Sequence, residues 1–308
     1  MLQDDRPRRP LLRYPGAKNQ LAAWILAHIP QDHDTYNEPY VGSAAVLTAK
    51  GRSPLEAVND ASGDLINFLI TLRERPDELI GKLRFTFWSS AELTLAVQPC
   101  SDPLERARRF YVRCYMAIRP FDKWPAFRRQ KVLGRGRDGT SSPMSSAAQL
   151  FMDLEHLWWY AERLRGVSIE QMEALDFIQL YDHPRAVFYV DPPYVLDTRS
   201  RQTKIYQEDS MTGGDHEALA DVMNGIQGMA LVSGYATNRD GSANELYADL
   251  FDQRGWRRID RQARIDGGGS RTESLWLSPS LTDALAREVR QETANLRQRY
   301  PLLYLEER

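Results

Sequence analysis

The stretch Tyr189-Val190-Asp191-Pro192-Pro193-Tyr194 sets two hydrogen-bond acceptors beside an aromatic ring. Asp191 supplies a carboxylate, the carbonyl of Pro192 a second acceptor, and Tyr194 a flat face. That set suits one difficult nucleophile. The exocyclic amine of a nucleobase is a poor one because its lone pair is delocalised into the ring. Acceptors on its two protons would restore tetrahedral character, and the ring would stack the base after it leaves the duplex. Pro192 and Pro193 hold this arrangement stiff. The preceding run, Ala186-Val187-Phe188, is apolar and β-prone, the pattern of a buried central strand. Two prolines end that strand at its carboxyl side, where open α/β sheets bind ligands.

Other elements must bring a cofactor to this strand end. Leu11-Leu12-Arg13-Tyr14-Pro15-Gly16-Ala17-Lys18 reads as an aromatic-Pro-Gly turn feeding a helix over residues 19–28, with Lys18 in reach of a carboxylate or polar ligand. Thr35 to Val46 reads as a short strand, a turn at Gly42 and a helix to residue 50, so backbone can approach a ligand at Gly42 and a helix N-terminus faces it. The three glycines of a dinucleotide fingerprint are missing, which disfavours a nicotinamide enzyme. A second strand over 55–58 ends at Asp60, placed for a ribose hydroxyl pair or for capping, and Asp64 suits the start of a helix over 63–72. Val167 to Ile169 reads as a third strand. A helix over 174–180 follows, where Asp176 is placed either for the amino group of a cofactor adenine or for the helix N-terminus, with Phe177 beside it.

The region from about residue 76 to 154 has a different character. A helix is expected over 104–118, with Leu104, Ala107, Tyr111, Cys114, Tyr115 and Ile118 on one stripe, and another over 147–164. Between Arg106 and Arg137 stand eleven Lys or Arg residues against one acid, Asp122, interleaved with Phe121, Trp124 and Phe127. A phosphate-contacting face with stacking groups has this composition. Arg113, Arg119, Lys123, Arg128, Arg129, Lys131, Arg135 and Arg137 are its candidates. Residues 196–214 read as a polar lid, and a highly charged helix is expected over 281–300.

Hydrophobic residues make up 42% and charged residues 27% of 308, enough for an α/β core with one inserted subdomain. No apolar run reaches membrane-spanning length, residues 1–10 are polar, and a cytoplasmic protein is expected. Cys100 and Cys114 lack metal spacing, so neither a disulfide framework nor a metal site is expected. The net charge of -2 confines any nucleic-acid face to a local patch.

Taken together, the motifs resemble the Dam-like adenine-specific DNA methyltransferases, phage and prophage members among them. Arg13 to Lys18 resembles that family's opening motif, with Tyr14 and Lys18 at cofactor-contacting positions. Glu38-Pro39-Tyr40-Val41-Gly42 resembles its cofactor motif, Asp60-Ala61-Ser62-Gly63-Asp64 its second acidic motif, and Asp191 to Tyr194 its catalytic tetrapeptide. Val232-Ser233-Gly234-Tyr235, Asp215-His216 and Arg271-Thr272-Glu273 resemble further recurrent elements. The order of motifs puts the basic segment in the target-recognition slot.

The resemblance implies a class-I methyltransferase fold: a mostly parallel, Rossmann-like seven-stranded sheet, with catalytic residues 1–75 and 155–308 and a mainly helical DNA-recognition insertion over 76–154. It implies S-adenosylmethionine as cofactor, bound by Tyr14, Lys18, Glu38, Tyr40, Gly42, Asp60, Asp176 and Phe177, and double-stranded DNA as partner. It implies flipping of adenine and direct in-line methyl transfer at Asp191, Pro192, Pro193 and Tyr194, with no metal. A cognate restriction endonuclease is a further candidate partner, and a monomer or weak dimer is expected. The sequence departs from the family pattern at Pro15 and Ala44, where glycines are usual, and residues 116–124 carry no copy of the GATC-reading elements. Rival readings are an RNA-base, protein-glutamine or cytosine-N4 methyltransferase, and a DNA-binding protein without turnover.

Overall fold

Seven of the described strands collect into one sheet, and two short ones pair separately. The computed structural model describes residues 6–129, 134–135, 141–142, 147–193, 211–237, 242, 244–264 and 270–299. The first half supplies α1 (Ala22–Leu26), β1 (Thr35–Glu38), α2 (Ala45–Ala49), β2 (Leu55–Asn59) and α3 (Gly63–Glu74). Next come α4 (Pro76–Arg84), α5 (Ser90–Ala96), α6 (Pro103–Met116), the short strands β3 (Gly134–Arg135) and β4 (Ser141–Ser142), and α7 (Ala147–Met152). The chain then forms α8 (His156–Leu164), β5 (Val167–Glu170), α9 (Ala174–Tyr181), β6 (Ala186–Val190), α10 (Gly213–Gly225), β7 (Met229–Gly234), α11 (Glu245–Leu250), β8 (Arg257–Arg264), β9 (Ser270–Leu277) and α12 (Pro279–Arg299).

Among the described residues the main sheet has seven strands in the order β5-β2-β1-β6-β7-β9-β8. Neighbours from β5 to β7 are parallel, whereas β9 pairs antiparallel with both β7 and β8. One antiparallel hairpin on an otherwise parallel, helix-covered sheet is the expected class-I methyltransferase fold. Every residue of β1, β6 and β7 is buried, as a central parallel strand covered on both faces requires. Strand order reverses between β1 and β6, so the crevice for a ligand opens beyond their carboxyl ends.

Local chemistry sets the helix starts. The Ser62 hydroxyl caps α3 by accepting from the Leu65 amide, Asp102 caps α6 just before Pro103, and Thr212 with Asp215 forms a capping box on α10. Helix α6 packs on α3 through Phe110 against Phe68 and Tyr111 stacked on the same ring. The helices of residues 76–154 therefore share their apolar core with the sheet domain.

Several elements differ from the sequence reading. The first helix spans Ala22–Leu26 only. The helix expected over 147–164 is broken into α7 and α8. Arg9 donates to the Asp153 carbonyl, the acceptor an unbroken helix would offer the Leu157 amide, and that amide bonds Leu154 instead. Trp158 on α8 is 38% exposed. Ile118 falls just beyond α6 and is exposed. Strands β8 and β9 run longer than their apolar segments.

Candidate active site

Two strand ends meet at the reversal of strand order. Residue Glu38 closes β1 and Asp191 follows β6 directly, and the two strands are hydrogen-bonded neighbours. The turn before α1 reaches the same place: Lys18 Nζ lies 2.9 Å from Asp191 Oδ2, with side chains only 9% and 17% exposed. Lys18 also donates to the Gly16 carbonyl at 3.3 Å, which holds the ammonium within its own turn. Three stretches far apart in sequence thus converge on one carboxylate.

Beneath them lies a buried polar layer. The Tyr36 hydroxyl donates to Glu38 Oε1 at 2.7 Å. Glu38 is almost wholly buried, and burial pushes its carboxyl up to about 8, with nearby Asp191 adding to the rise. The Tyr189 hydroxyl shares a hydrogen bond with Ser233 at 2.9 Å, and burial raises its pKa well above the usual phenol range.

The cradle after β1 is held by Asp60. Its Oδ2 accepts from the Gly42 amide and its Oδ1 from the Ser62 amide, each at 3.0 Å, so one carboxylate fixes both the turn and the entry to α3. A carboxylate oxygen can accept twice, so this anchoring is compatible with holding a hydroxyl pair. Gly42 adopts φ +48°, and a Cβ there would stand 3.6 Å from the Tyr14 ring. Ala44, at φ 54°, keeps the left-handed conformation that glycine would take without strain. Tyr14 also packs on Phe110 of α6 and on Phe121 beyond it, linking the cradle to the segment that holds α6.

The remaining predicted residues divide. Tyr40 is half-buried against the second core cluster, which includes the β6 residues Phe188 and Val190. Asp176 is exposed on α9. Phe177, expected at the cofactor, is fully buried with its ring against Tyr181, so it is packing beneath α9 rather than a face open to a ligand. Asp64 does not cap α3. It binds Arg106 and Arg113 instead. Pro192 is buried and Pro193 half-buried, while Tyr194 and most of the expected lid lie outside the described residues.

The basic segment is less free than its composition suggests. Arg113 is ion-paired with Asp64 and lies against the Phe110 ring, which removes it from the phosphate-facing candidates. Arg108 and Arg109 bind Glu105, Arg108 also binds Glu92, and Arg119 pairs with Asp122 at 2.9 Å. The expected lack of neutralising acids is therefore corrected by Glu105 within the same helix and by Asp64 and Glu92 from other helices. Beyond α6 the chain doubles back: Ala117 bridges Phe127, the Ile118 amide bonds Ala126, and Arg128 donates a side-chain N–H to the Ala117 carbonyl at 2.9 Å. Phe121 and Phe127 turn inward onto the core, leaving Lys123, Trp124 and Arg129 exposed around the tip. Lys131 and Arg137 lie outside the described residues, as does the side chain of Arg135 in β3.

Sequence reasoning gave no role to His216, whose Nε2 lies 3.2 Å from the Pro193 carbonyl, or to Tyr247 behind it. No periodicity or spacing could have found that pairing. Among the described residues there is no cluster of three metal-ligating side chains and no helix long and apolar enough to cross a membrane.

The family described as D12 class N6 adenine-specific DNA methyltransferase matches residues 14–265. A DNA adenine methylase of Serratia marcescens is 23% identical over 256 residues, covering 80% of this chain and 88% of the relative. The type II methyltransferase M1.LlaDCHI of Lactococcus lactis subsp. cremoris is 22% identical over 255 residues, covering 79% and 85%. Among solved structures, a precorrin 8W decarboxylase of Methanobacterium thermoautotrophicum aligns at TM-score 0.36 and 12% identity over 90% of this chain and 97% of its own.

Proposed function

The chain belongs to the D12 class N6 adenine-specific DNA methyltransferase family, and from that premise we propose how its residues perform the transfer. It is an adenine-specific DNA methyltransferase, which selects the adenine reading over the RNA, protein and cytosine alternatives. The single observation that carries the mechanism is Asp191, held by Lys18 at the reversal of strand order.

The donor we assign is S-adenosylmethionine, which when bound supplies a methyl group on a positively charged sulfur. The residues at the cradle suit that group. A turn without a Cβ at Gly42 admits close backbone approach, Asp60 offers a carboxylate at that turn for a hydroxyl pair, and Asp191 stands at the neighbouring strand end. Tyr14, Lys18, Tyr40 and exposed Asp176 complete the proposed set.

Asp191 and the Pro192 carbonyl would accept hydrogen bonds from the two N–H groups of the adenine amine, turning its lone pair out of conjugation with the ring. The new N–C bond replaces the donor's C–S bond, the sulfur leaves as a neutral thioether, and one amine proton passes by way of Asp191 to water. Lys18 fixes the carboxylate's direction. Tyr194 stacks the extruded base. Rate comes from positioning and from acceptors set in advance, so nothing needs to reorganise as the bond forms.

The insertion over residues 76–154 is the proposed recognition unit, with Trp124 at its tip for stacking and Arg119, Lys123, Arg128 and Arg129 on the phosphate side. The same reading has the chain acting in the cytoplasm as a monomer or weak dimer, with a cognate restriction endonuclease as candidate partner. Transfer of labelled methyl from S-adenosylmethionine to duplex DNA, followed by nucleoside analysis, tests the donor assignment. N6-methyladenine carrying the label supports it, and no label under conditions of proven folding overturns it.

A further inference from the structure

The chain leaves the site at Pro193 and is described again from Met211, close to the start of α10. His216, in the first turns of α10, is 2% exposed and lies between that exit and the sheet. Its Nε2 is 3.2 Å from the Pro193 carbonyl and its Nδ1 is 3.1 Å from the Tyr247 hydroxyl. A carbonyl can only accept, so Nε2 carries the hydrogen, and in the neutral ring Nδ1 is then the acceptor for the tyrosine hydroxyl. Tyr247 fixes the tautomer, and the tautomer makes His216 a donor to the prolyl loop.

Tyr247 is itself held tightly. It is 2% exposed on α11, its ring packs on Trp276 of β9 with centroids 4.9 Å apart, and it lies directly over Gly234 at the end of β7. A Cβ at residue 234 would fall 2.8 Å from the Tyr247 ring and 3.0 Å from Trp276. Glycine is therefore what lets the tyrosine reach His216. The Asn244 side chain braces the same corner by donating to the Tyr235 carbonyl at 2.9 Å. One continuous line of contacts runs from β7 through Tyr247 and His216 to Pro193.

We propose that His216 is a positioning residue for methyl transfer: its bond to the Pro193 carbonyl fixes the peptide that leads into Tyr194, and with it the direction of the Pro192 acceptor. The inference rests on the acceptor mechanism proposed above. Asp215, beside it, closes the capping box that starts α10 and sets the register in which residue 216 faces the loop.

The test compares His216→Leu, which removes the donor, with His216→Gln, which keeps an N–H on a side chain of similar reach. Both are assayed in the full chain for kcat, KM for duplex DNA, S-adenosylmethionine affinity and thermal unfolding. Losing a buried donor should lower kcat about tenfold in His216→Leu, while His216→Gln restores most of it. Cofactor affinity should stay near that of the native chain in both, and the unfolding temperature should fall by only a few degrees in His216→Leu, about what one lost buried hydrogen bond costs. A folded His216→Leu protein with native kcat, or a glutamine variant as impaired as the leucine one, overturns the proposal. Should His216→Leu fail to fold, Tyr247→Phe reads the same line: selection of the donor tautomer is lost and kcat falls several-fold, whereas native kcat there overturns it. Asp191→Ala measured alongside separates the two layers. Activity retained there refutes the acceptor mechanism, whereas activity lost there with native kcat in folded His216→Leu refutes the role of His216 alone.

Discussion

Lys18 Nζ and Asp191 Oδ2, 173 positions apart in sequence, stand 2.9 Å apart at the carboxyl end of β6. The pair ties the turn before α1 to the strand that carries the proposed acceptor. With both side chains mostly shielded from water, removing the cation leaves a carboxylate without its main partner. Lys18→Met should lower stability by about 2 kcal/mol and cut turnover at least tenfold, because a pair mostly shielded from water yet not fully desolvated lies between the surface and buried cases. Urea unfolding and steady-state kinetics check both parts.

Stability should depend on pH through Glu38. Its folded carboxyl is raised from 4.5 to about 8 by burial, so the folded protein holds this proton more tightly than the unfolded chain does. Stability from this group is therefore full below pH 4.5 and is lost as pH rises through about 8, at roughly 1.4 kcal/mol per pH unit. Glu38→Gln removes the dependence. Without cofactor, its stability relative to the native chain should climb across that window and level off above it, as unfolding midpoints measured from pH 4 to about 9 would record.

The tip beyond α6 should bind DNA in two separable ways. Trp124 is 74% exposed, so Trp124→Ala should leave the fold intact and weaken duplex binding about tenfold through lost stacking. Lys123→Ala and Arg129→Ala should each reduce the slope of log affinity against log salt by about 1, whatever the DNA sequence. Fluorescence anisotropy across a salt series separates the effects.

The site was legible wherever chemistry is local in sequence. Prolines after an apolar run marked the end of β6, Gly42 marked the cradle, and acids marked the ends of β1 and β2. What stayed hidden depends on partners far along the chain. The arginines of α6 look like a free basic face until Asp64 and Glu92 fold against them, and the break before α8 requires Arg9 to take the Asp153 carbonyl. Tyr247 shows no sequence signal because its role is to reach a histidine on another helix.

Ala44 tests how much the cradle tolerates. Its left-handed backbone costs about 1 kcal/mol, and its buried methyl returns about 0.8 kcal/mol, so Ala44→Gly should be near neutral in stability. Ala44→Val should be destabilising by about 3 kcal/mol, because a branched side chain fits neither the conformation nor the packed space. Chemical denaturation of both variants decides this.

The most direct measurement is methyl transfer to adenine-containing duplex by Asp191→Ala, with S-adenosylmethionine binding and unfolding temperature followed on the same protein. Loss of the acceptor should abolish transfer while much of the cofactor affinity remains. A folded Asp191→Ala protein that methylates adenine near the native rate would contradict the account.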